Sequence, residues 1–208
     1  MFFDRYDAGE QLATKLEYYK DSDVVVYALP RGGVLVGLEI SKALHAPLDI
    51  VIAHEIGHPL NNEYAICAIT ESGERVCSEI GLCGVDESWI EFESKVQQKE
   101  VCRRLLEYKG NEASVSAGGK IAILVDDGIS TGLTMKAAIL AIKKQKPRKI
   151  IVAVPMATHD RVVEFGQLVD EVVVLIESYY IHFSEVSDKE AQVALHQIKT
   201  IHNELVTV

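Results

Sequence analysis

Positive charge is scarce in this sequence of 208 residues. It has 21 lysines and arginines against 31 aspartates and glutamates, which gives a formal net charge of −10. Such an excess of negative charge repels the phosphate backbone of nucleic acids and the anionic surface of membranes. We therefore expect neither of them as a binding partner. A small anionic ligand is compatible with this charge, because backbone N–H groups can hold an anion locally.

Long apolar runs and cysteines are also scarce. No apolar run reaches the roughly 18 residues that indicate a membrane helix. Residues 1–7 contain acids where a signal peptide has an apolar core. The four cysteines, Cys67, Cys77, Cys83 and Cys102, show no close-paired spacing, which is typical of free thiols in a reducing compartment. We therefore expect a soluble, cytoplasmic protein whose cysteines are free.

Short, uniformly apolar runs alternate with helical patterns along most of the chain. Runs without polar alternation predict strands that are buried on both faces of a parallel sheet. They comprise residues 24–29, 48–53, 121–125, 150–154 and 171–176. Helical spacing of apolar residues is found over 8–19, 34–44 and 134–144. The alternation predicts an α/β fold with a doubly wound, mostly parallel sheet of about five strands.

Two parts of the chain depart from this alternation. Residues 63–70 and 74–77 flank a Ser-Gly turn and predict a hairpin, which a polar helix over residues 86–108 follows. Ser187 and Glu190 have the spacing of a capping box and predict the start of a final helix. We therefore expect a single domain over 1–208. It has a core over residues 8–176, a hairpin-plus-helix insertion and a C-terminal, hood-like extension over 177–208.

A loop rich in small and hydroxyl-bearing residues follows the predicted strand 121–125. The strand ends in two carboxylates, Asp126 and Asp127, and a helix begins just after the loop. The N–H groups and positive dipole end of a helix N-terminus attract an anion, whereas carboxylates accept hydrogen bonds from sugar hydroxyls or bind a cation. The sequence therefore predicts a site for a sugar phosphate. The remaining residues of this site are Gly128, Ile129, Ser130, Thr131, Gly132 and Thr134.

Residues 123–134 resemble the phosphoribosyl pyrophosphate signature of the type I phosphoribosyltransferases. Segments 4–9, 29–33, 57–59, 62–65 and 180–188 resemble a bacterial branch of that family, so the resemblance covers nearly the whole chain. It implies that Asp126 and Asp127 hold the ribose hydroxyls of phosphoribosyl pyrophosphate. It also implies that residues 128–134 hold the 5′-phosphate.

A second loop, Leu29-Pro30-Arg31-Gly32-Gly33, also joins a predicted strand to a helix. Its glycines permit close backbone approach, and Arg31 offers a bidentate fork to phosphate oxygens. The resemblance assigns the pyrophosphate group to Arg31, Gly32 and Gly33. The alternative is that Arg31 is a surface cation and the glycines form an ordinary turn.

The resemblance implies transfer of ribose 5-phosphate to a nitrogenous base, with release of pyrophosphate. Cleavage at the anomeric carbon develops oxocarbenium character, so Arg31, Asp126 and Asp127 would act by orientation and charge stabilisation. Mg²⁺ bound with the pyrophosphate of the donor is the expected cofactor, without a metal site made by the protein alone. Tyr180 and Phe183 are candidates to stack the base or, alternatively, to cover the sheet edge. The oligomeric state is left open, with a homodimer as one option.

One residue limits the acceptor, and two further sites depart from the family pattern. Family members that act on 6-oxopurines have a carboxylate where this chain has Ser130, so such an acceptor is disfavoured. The family usually has Arg-Lys in place of His54-Glu55, and a glutamate there repels the phosphates of the donor. His182 stands where the branch usually has an acid. The alternative function is therefore a non-catalytic or regulatory protein that binds phosphoribosyl pyrophosphate or a nucleotide.

The segment His54-Glu55-Ile56-Gly57-His58 also matches the H-E-x-x-H pattern of zinc proteases. That chemistry requires both histidines on one helical face. Gly57 weakens a helix here, and Pro59 disfavours helical geometry at His58. We therefore expect a loop at a strand end, and a zinc hydrolase is a third, less favoured interpretation.

Overall fold

The computed structural model describes residues 2–178 and 183–206, with side chains up to residue 198. The chain divides into two compact units. The first comprises Met1–Ile50, Ser114–Ser130 and Gln145–Val208, and the second comprises Val51–Ala113 and Thr131–Lys144. The single domain over 1–208 stays a prediction.

Helices and strands alternate along the described residues. The helices are α1 (Arg5–Leu16), α2 (Gly32–Leu44), α3 (Glu87–Lys109), α4 (Leu133–Lys144), α5 (His159–Gly166) and α6 (Asp188–Val206). The strands are β1 (Val24–Ala28), β2 (Leu48–Ile50), β3 (Ala53–His58), β4 (Asn61–Thr70), β5 (Arg75–Cys77), β6 (Ile121–Val125), β7 (Lys149–Ala157) and β8 (Glu171–Glu177). A short 3₁₀ helix, Glu17–Tyr19, follows α1.

The described part of the first unit contains a five-stranded parallel sheet. Its spatial order is β2-β1-β6-β7-β8, and every neighbouring pair is parallel. All five residues of β1 and all five of β6 are buried, because helices cover the central strands. The prediction of an α/β fold with a mostly parallel sheet of this size is confirmed.

Side-chain caps begin two helices of the first unit, α1 and α6. Asp4 caps α1 by accepting a hydrogen bond from the backbone N–H of Asp7 at 2.9 Å. At α6, the Ser187 hydroxyl accepts from the Glu190 N–H at 3.2 Å, and the Glu190 carboxylate accepts from the Ser187 N–H at 2.8 Å. The predicted capping box is therefore confirmed. Helix α5 was not predicted, since its eight residues are too few to show a helical period.

The second unit contains an antiparallel sheet of order β3-β4-β5 within its described residues. Helix α4 packs Leu133 and Ala137 against Ala68 of β4. Helix α3 begins after Asp86, whose carboxylate accepts from the Ser88 N–H at 2.8 Å. The predicted hairpin and polar helix are both confirmed, although β5 begins one residue later than expected.

The expectation of a loop at His54–His58 was wrong. The predicted strand 48–53 is divided, because β2 ends at Ile50 and β3 begins at Ala53. His54 and Glu55 lie in β3 and pair with Ile69 and Ala68 of β4. Because His54 and His58 both lie in strand β3, they do not have the helical spacing that a zinc protease requires.

The expectation of four free cysteines was wrong for Cys67 and Cys77, which form a disulfide between β4 and β5. These residues are direct partners in the antiparallel ladder, and their Cα atoms are 3.9 Å apart. The sequence separation of 10 hid this proximity, because the turn of the hairpin brings the two residues together. Cys83 and Cys102 are free and exposed.

Within residues 2–178 and 183–206, no helix combines the length and the apolar composition that crossing a bilayer requires.

Candidate active site

The two loops singled out in the sequence begin side by side in the first unit. Strands β1 and β6 are parallel neighbours, and Ala28 pairs with Val125 at their carboxyl ends. The pairing continues one step further, since the Leu29 N–H donates to the Val125 carbonyl at 2.8 Å. The arginine-glycine loop and the acidic pair therefore start at the same edge of the sheet, which is where α/β proteins bind ligands.

The backbone of the arginine-glycine loop lies so close to the acidic pair that positions 32 and 33 must be glycine. A Cβ atom at Gly33 would lie 2.7 Å from the Val125 carbonyl oxygen and 2.9 Å from the Cα of Asp126. A Cβ atom at Gly32 would overlap the Asp127 carboxylate. The glycines thus bring the first turn of α2 directly against the acidic pair. The peptide bond between Pro30 and Arg31 is cis.

Arg31 occupies the N-cap position of α2, and its side chain is exposed. This position directs a flexible cation toward solvent at the edge of the sheet that carries both loops. The geometry suits a contact with a phosphate group. It also suits the alternative of a surface cation.

Asp126 and Asp127 are both partly buried at the end of β6. The Asp126 carboxylate accepts a hydrogen bond from the Asp127 N–H at 2.8 Å. The Oδ2 atom of Asp127 accepts two hydrogen bonds from Arg5, one from Nε at 2.8 Å and one from Nη2 at 2.6 Å. The two carboxylates are therefore held differently, the first by the backbone and the second by a cation.

The predicted phosphate loop, residues 128–134, starts in the first unit with Gly128, Ile129 and Ser130. The Ile129 N–H donates to the Met156 carbonyl at 3.1 Å, which anchors the loop to β7. Ser130 is exposed, and its carbonyl accepts from Nε of Arg161 at 3.2 Å. Position 130 therefore offers a hydroxyl group, and not a carboxylate, to a ligand at this loop.

The loop ends in the second unit with Thr131, Gly132 and Thr134, around the N-terminus of α4. Gly132 has a φ of +77°, a left-handed conformation that favours glycine. The Thr131 hydroxyl accepts from the Leu133 N–H at 3.3 Å and donates to the Glu55 carboxylate at 2.9 Å. Helix α4 thus begins with a hydroxyl cap whose proton is directed to an acid.

Phe183 is the one described member of the predicted base-binding pair. Its ring stacks on Phe2, with the ring centroids 5.5 Å apart. Both rings line a cavity of about 470 Å³ that is also bounded by Arg5, Leu35 and Ile176. Such a cavity suits a small planar ligand. Tyr180 and His182 lie outside the described residues.

Arg5 is the residue of this region that the sequence did not assign to a function. It lies in the segment 4–9 that carried part of the resemblance, but its partner Asp127 is 122 positions away. No spacing rule connects residues so far apart. The only sequence clue is a charged residue in the first turn of an otherwise apolar-faced helix, and that clue is weak.

Known proteins resemble this chain over most of its length. The family model described as "Phosphoribosyl transferase domain" matches residues 5–188. Two curated relatives from Mycobacterium tuberculosis strains, named "Putative phosphoribosyl transferase Rv0571c" and "Putative phosphoribosyl transferase MT0597", are each 37% identical over 200 residues. These matches cover 91% of this chain and 45% of each relative, so the chain spans about half the length of the curated relatives it matches.

One solved structure resembles this chain over nearly its full length. It is the crystal structure of TT1426 from Thermus thermophilus, which is 33% identical in sequence. The TM-score is 0.78, and the match covers 94% of this chain and 98% of the other. The arrangement of strands and helices described above is therefore shared with an experimentally determined protein.

Proposed function

Because the chain belongs to the phosphoribosyl transferase domain family, we propose that it transfers ribose 5-phosphate from phosphoribosyl pyrophosphate to a nitrogenous base and releases pyrophosphate. The observation that carries the proposal is the approach of two strand-end loops. Gly32 and Gly33 lie directly against Asp126 and Asp127, so a loop suited to phosphate adjoins a pair of carboxylates suited to a diol. The donor has both groups.

The segment that follows β6 is proposed to hold the ribose and the 5′-phosphate of the donor. Asp126 and Asp127 accept hydrogen bonds from the ribose hydroxyls. The 5′-phosphate binds to the N–H groups and hydroxyls of Gly128, Ile129, Ser130, Thr131, Gly132 and Thr134. The dipole at the start of α4 supports this assignment, because it favours negative charge.

Arg31, Gly32 and Gly33 are proposed to hold the pyrophosphate group. An exposed arginine at the edge of the site can turn toward a phosphate without breaking a packed structure. Mg²⁺ would arrive with the pyrophosphate and neutralise the charge that develops on it. The carboxylates of Asp126 and Asp127 fit this ion, since oxygen ligands are those that Mg²⁺ prefers.

The reaction needs no nucleophilic side chain under this proposal. The bond between the anomeric carbon and the pyrophosphate oxygen breaks, and the acceptor nitrogen forms the new bond at that carbon. Positive charge develops on the sugar ring, as in glycoside cleavage. The carboxylates of Asp126 and Asp127 hold the ring through its hydroxyls, and Arg31 stabilises the departing group.

We propose the cavity beside Phe183 for the acceptor base. Its aromatic lining favours a planar ring. Ser130 is a poor general base, so a 6-oxopurine is disfavoured. A Phe183→Ala variant should then raise the KM for an accepted base while leaving the affinity for the donor unchanged. Equal KM values in the variant and the wild type would remove Phe183 from the base site.

The test of the donor site is calorimetric titration with phosphoribosyl pyrophosphate and Mg²⁺. Wild type should bind the donor, and Asp126→Asn/Asp127→Asn should lose binding at least tenfold. Asp160→Asn is the matched control, because Asp160 is an exposed acid on α5. A double variant that binds as tightly as wild type would refute the assignment of these carboxylates. Pyrophosphate release with a panel of bases then tests turnover.

A second candidate is a protein that binds the donor or a nucleotide without turnover. The hydrogen bond between Thr131 and Glu55 favours it, because the acid lies at the loop that would receive the phosphate. Tight donor binding together with no pyrophosphate release for any base would support this candidate. Release with any one base would exclude it.

A further inference from the structure

Arg5 is a buried cation at the centre of the candidate site in the first unit. Only 8% of its surface is exposed, although it is the first residue of α1. A buried guanidinium is tolerated when it is paired and hydrogen-bonded. Arg5 meets that condition with three N–H donors, of which two bind Asp127 and one binds the Ser184 carbonyl at 2.6 Å.

Two further contacts join the guanidinium of Arg5 to the C-terminal extension and to the arginine-glycine loop. The Cζ atom of Arg5 lies 4.6 Å from the centroid of the Phe183 ring, in cation–π geometry. A Cβ atom at Gly32 would lie 2.7 Å from Nε of Arg5, so the guanidinium abuts the backbone of the arginine-glycine loop. One side chain therefore contacts the acidic pair, that loop and the ring proposed to stack the base.

We propose that Arg5 is a positioning residue that fixes the Asp127 carboxylate for the ribose hydroxyls of the donor, an inference that rests on the proposed function. Two hydrogen bonds to a single oxygen, Oδ2, restrain the rotation of the carboxylate plane. The effect of Arg5 on the ligand is therefore exerted through Asp127.

This role differs from a purely structural ion pair in what it predicts for two ligands. Phosphoribosyl pyrophosphate contains the ribose diol, whereas inorganic pyrophosphate lacks it. A loss of positioning weakens binding of the first ligand much more than binding of the second. A loss of fold stability alone lowers the melting temperature and leaves the ratio of the two affinities unchanged.

The experiment is titration of both ligands, each with Mg²⁺, into wild type, Arg5→Gln, Arg5→Lys and Arg148→Gln. Arg5→Gln should weaken binding of phosphoribosyl pyrophosphate at least tenfold and that of pyrophosphate by less than about twofold. The donor affinity of Arg5→Lys should lie between those of wild type and Arg5→Gln, because lysine keeps the positive charge and loses the planar fork of the guanidinium. Arg148→Gln, at an exposed position just before β7, should match wild type. If Arg5→Gln fails to fold, Arg5→Lys gives the same comparison.

A double-mutant cycle with Asp127→Asn tests whether Arg5 acts through that carboxylate. In the Asp127→Asn background, Arg5→Gln should change donor affinity by less than about twofold. The inference is overturned if Arg5→Gln leaves donor affinity unchanged, if it weakens both ligands equally, or if its effect persists in that background. Absence of donor binding by wild type would instead refute the proposed function, and this inference with it.

Discussion

The Thr131 hydroxyl donates a hydrogen bond to the Glu55 carboxylate, and the two oxygens are 2.9 Å apart. Thr131 belongs to the loop proposed for the 5′-phosphate, and Glu55 lies on β3 of the same unit. A phosphate at this hydroxyl must compete with the acid for the proton and approach a like charge. The departure from the family pattern at His54-Glu55 therefore has a defined contact in the second unit.

Replacing Glu55 by glutamine should increase the affinity for ribose 5-phosphate about three- to tenfold, because the variant removes the like charge at this exposed position. Calorimetric titration measures the change. Glu63→Gln is the matched control, since Glu63 is an exposed glutamate on the neighbouring strand β4. An equal gain in the control would show that general charge, and not the contact with Thr131, is responsible.

Gly33→Ala should destabilise the first unit by about 1–3 kcal/mol and abolish donor binding, because the added methyl group meets the Val125 carbonyl and the Asp126 backbone. Urea unfolding followed by circular dichroism measures the loss. Gly166→Ala, at the end of α5, provides the comparison, since no atom lies within 4 Å of a Cβ at that position. A Gly33→Ala protein as stable as the Gly166→Ala protein would contradict the close approach of the two loops.

The disulfide between Cys67 and Cys77 should stabilise the second unit. Its closed loop is short, with a sequence separation of 10, so a stabilisation of about 2–3 kcal/mol is expected. Cys67→Ser/Cys77→Ser should lower the unfolding midpoint reported by Trp89, which packs against the apolar cluster that contains Cys67. Cys83→Ser, which removes an exposed free thiol, should leave the midpoint unchanged.

Thiol labelling gives an independent check of this disulfide. Alkylation of the air-oxidised, denatured protein should modify the two free cysteines, Cys83 and Cys102. After reduction, all four cysteines should be modified. Modification of all four without a reductant would show that the pair is not oxidised under those conditions.

The Glu74 carboxylate should make the stability of the second unit depend on pH. Burial raises the pKa of its carboxyl group, but hydrogen bonds from Lys144, Ser72 and Thr70 outweigh burial and lower this pKa from 4.5 to about 2. The folded pKa is thus lower than the unfolded one. The stabilisation is fully present above about pH 4.5 and is lost as the pH falls toward 2.

The measurement is the unfolding midpoint from pH 6 to pH 2, followed by Trp89 fluorescence. Wild type should lose stability over that interval, and Glu74→Gln should begin less stable and show a flatter profile. Glu63→Gln should follow wild type, since Glu63 is exposed. Parallel profiles of wild type and Glu74→Gln would contradict the role of this carboxylate.

The sequence predicted the central sheet because its strands carry their own signal. Strands β1 and β6 are uniformly apolar, and burial on both faces requires that composition. The loops of the candidate site were recognisable for the same reason, since each has its glycines and charged residues within a few positions. The capping box at Ser187 and Glu190 is equally local.

The features that the sequence missed depend on partners far along the chain. Strand β3 has polar residues at His54, Glu55 and His58, so its composition resembles a loop until β4 supplies backbone partners. The disulfide follows from the register of β4 and β5, which a sequence separation does not reveal. The burial of Arg5 likewise depends on Asp127 and Ser184, which no local pattern indicates.

The hydrogen-bond partners of Arg5 are synthesised long after Arg5 itself. The ribosome makes Arg5 first, Asp127 is added 122 residues later, and Ser184 is added 179 residues later. A growing chain therefore carries this arginine without these two partners until the segments that contain them have been made. Truncated chains released before Ser184 lack one of its hydrogen-bond acceptors and should be readily degraded, because an incompletely paired buried cation disfavours docking of α1.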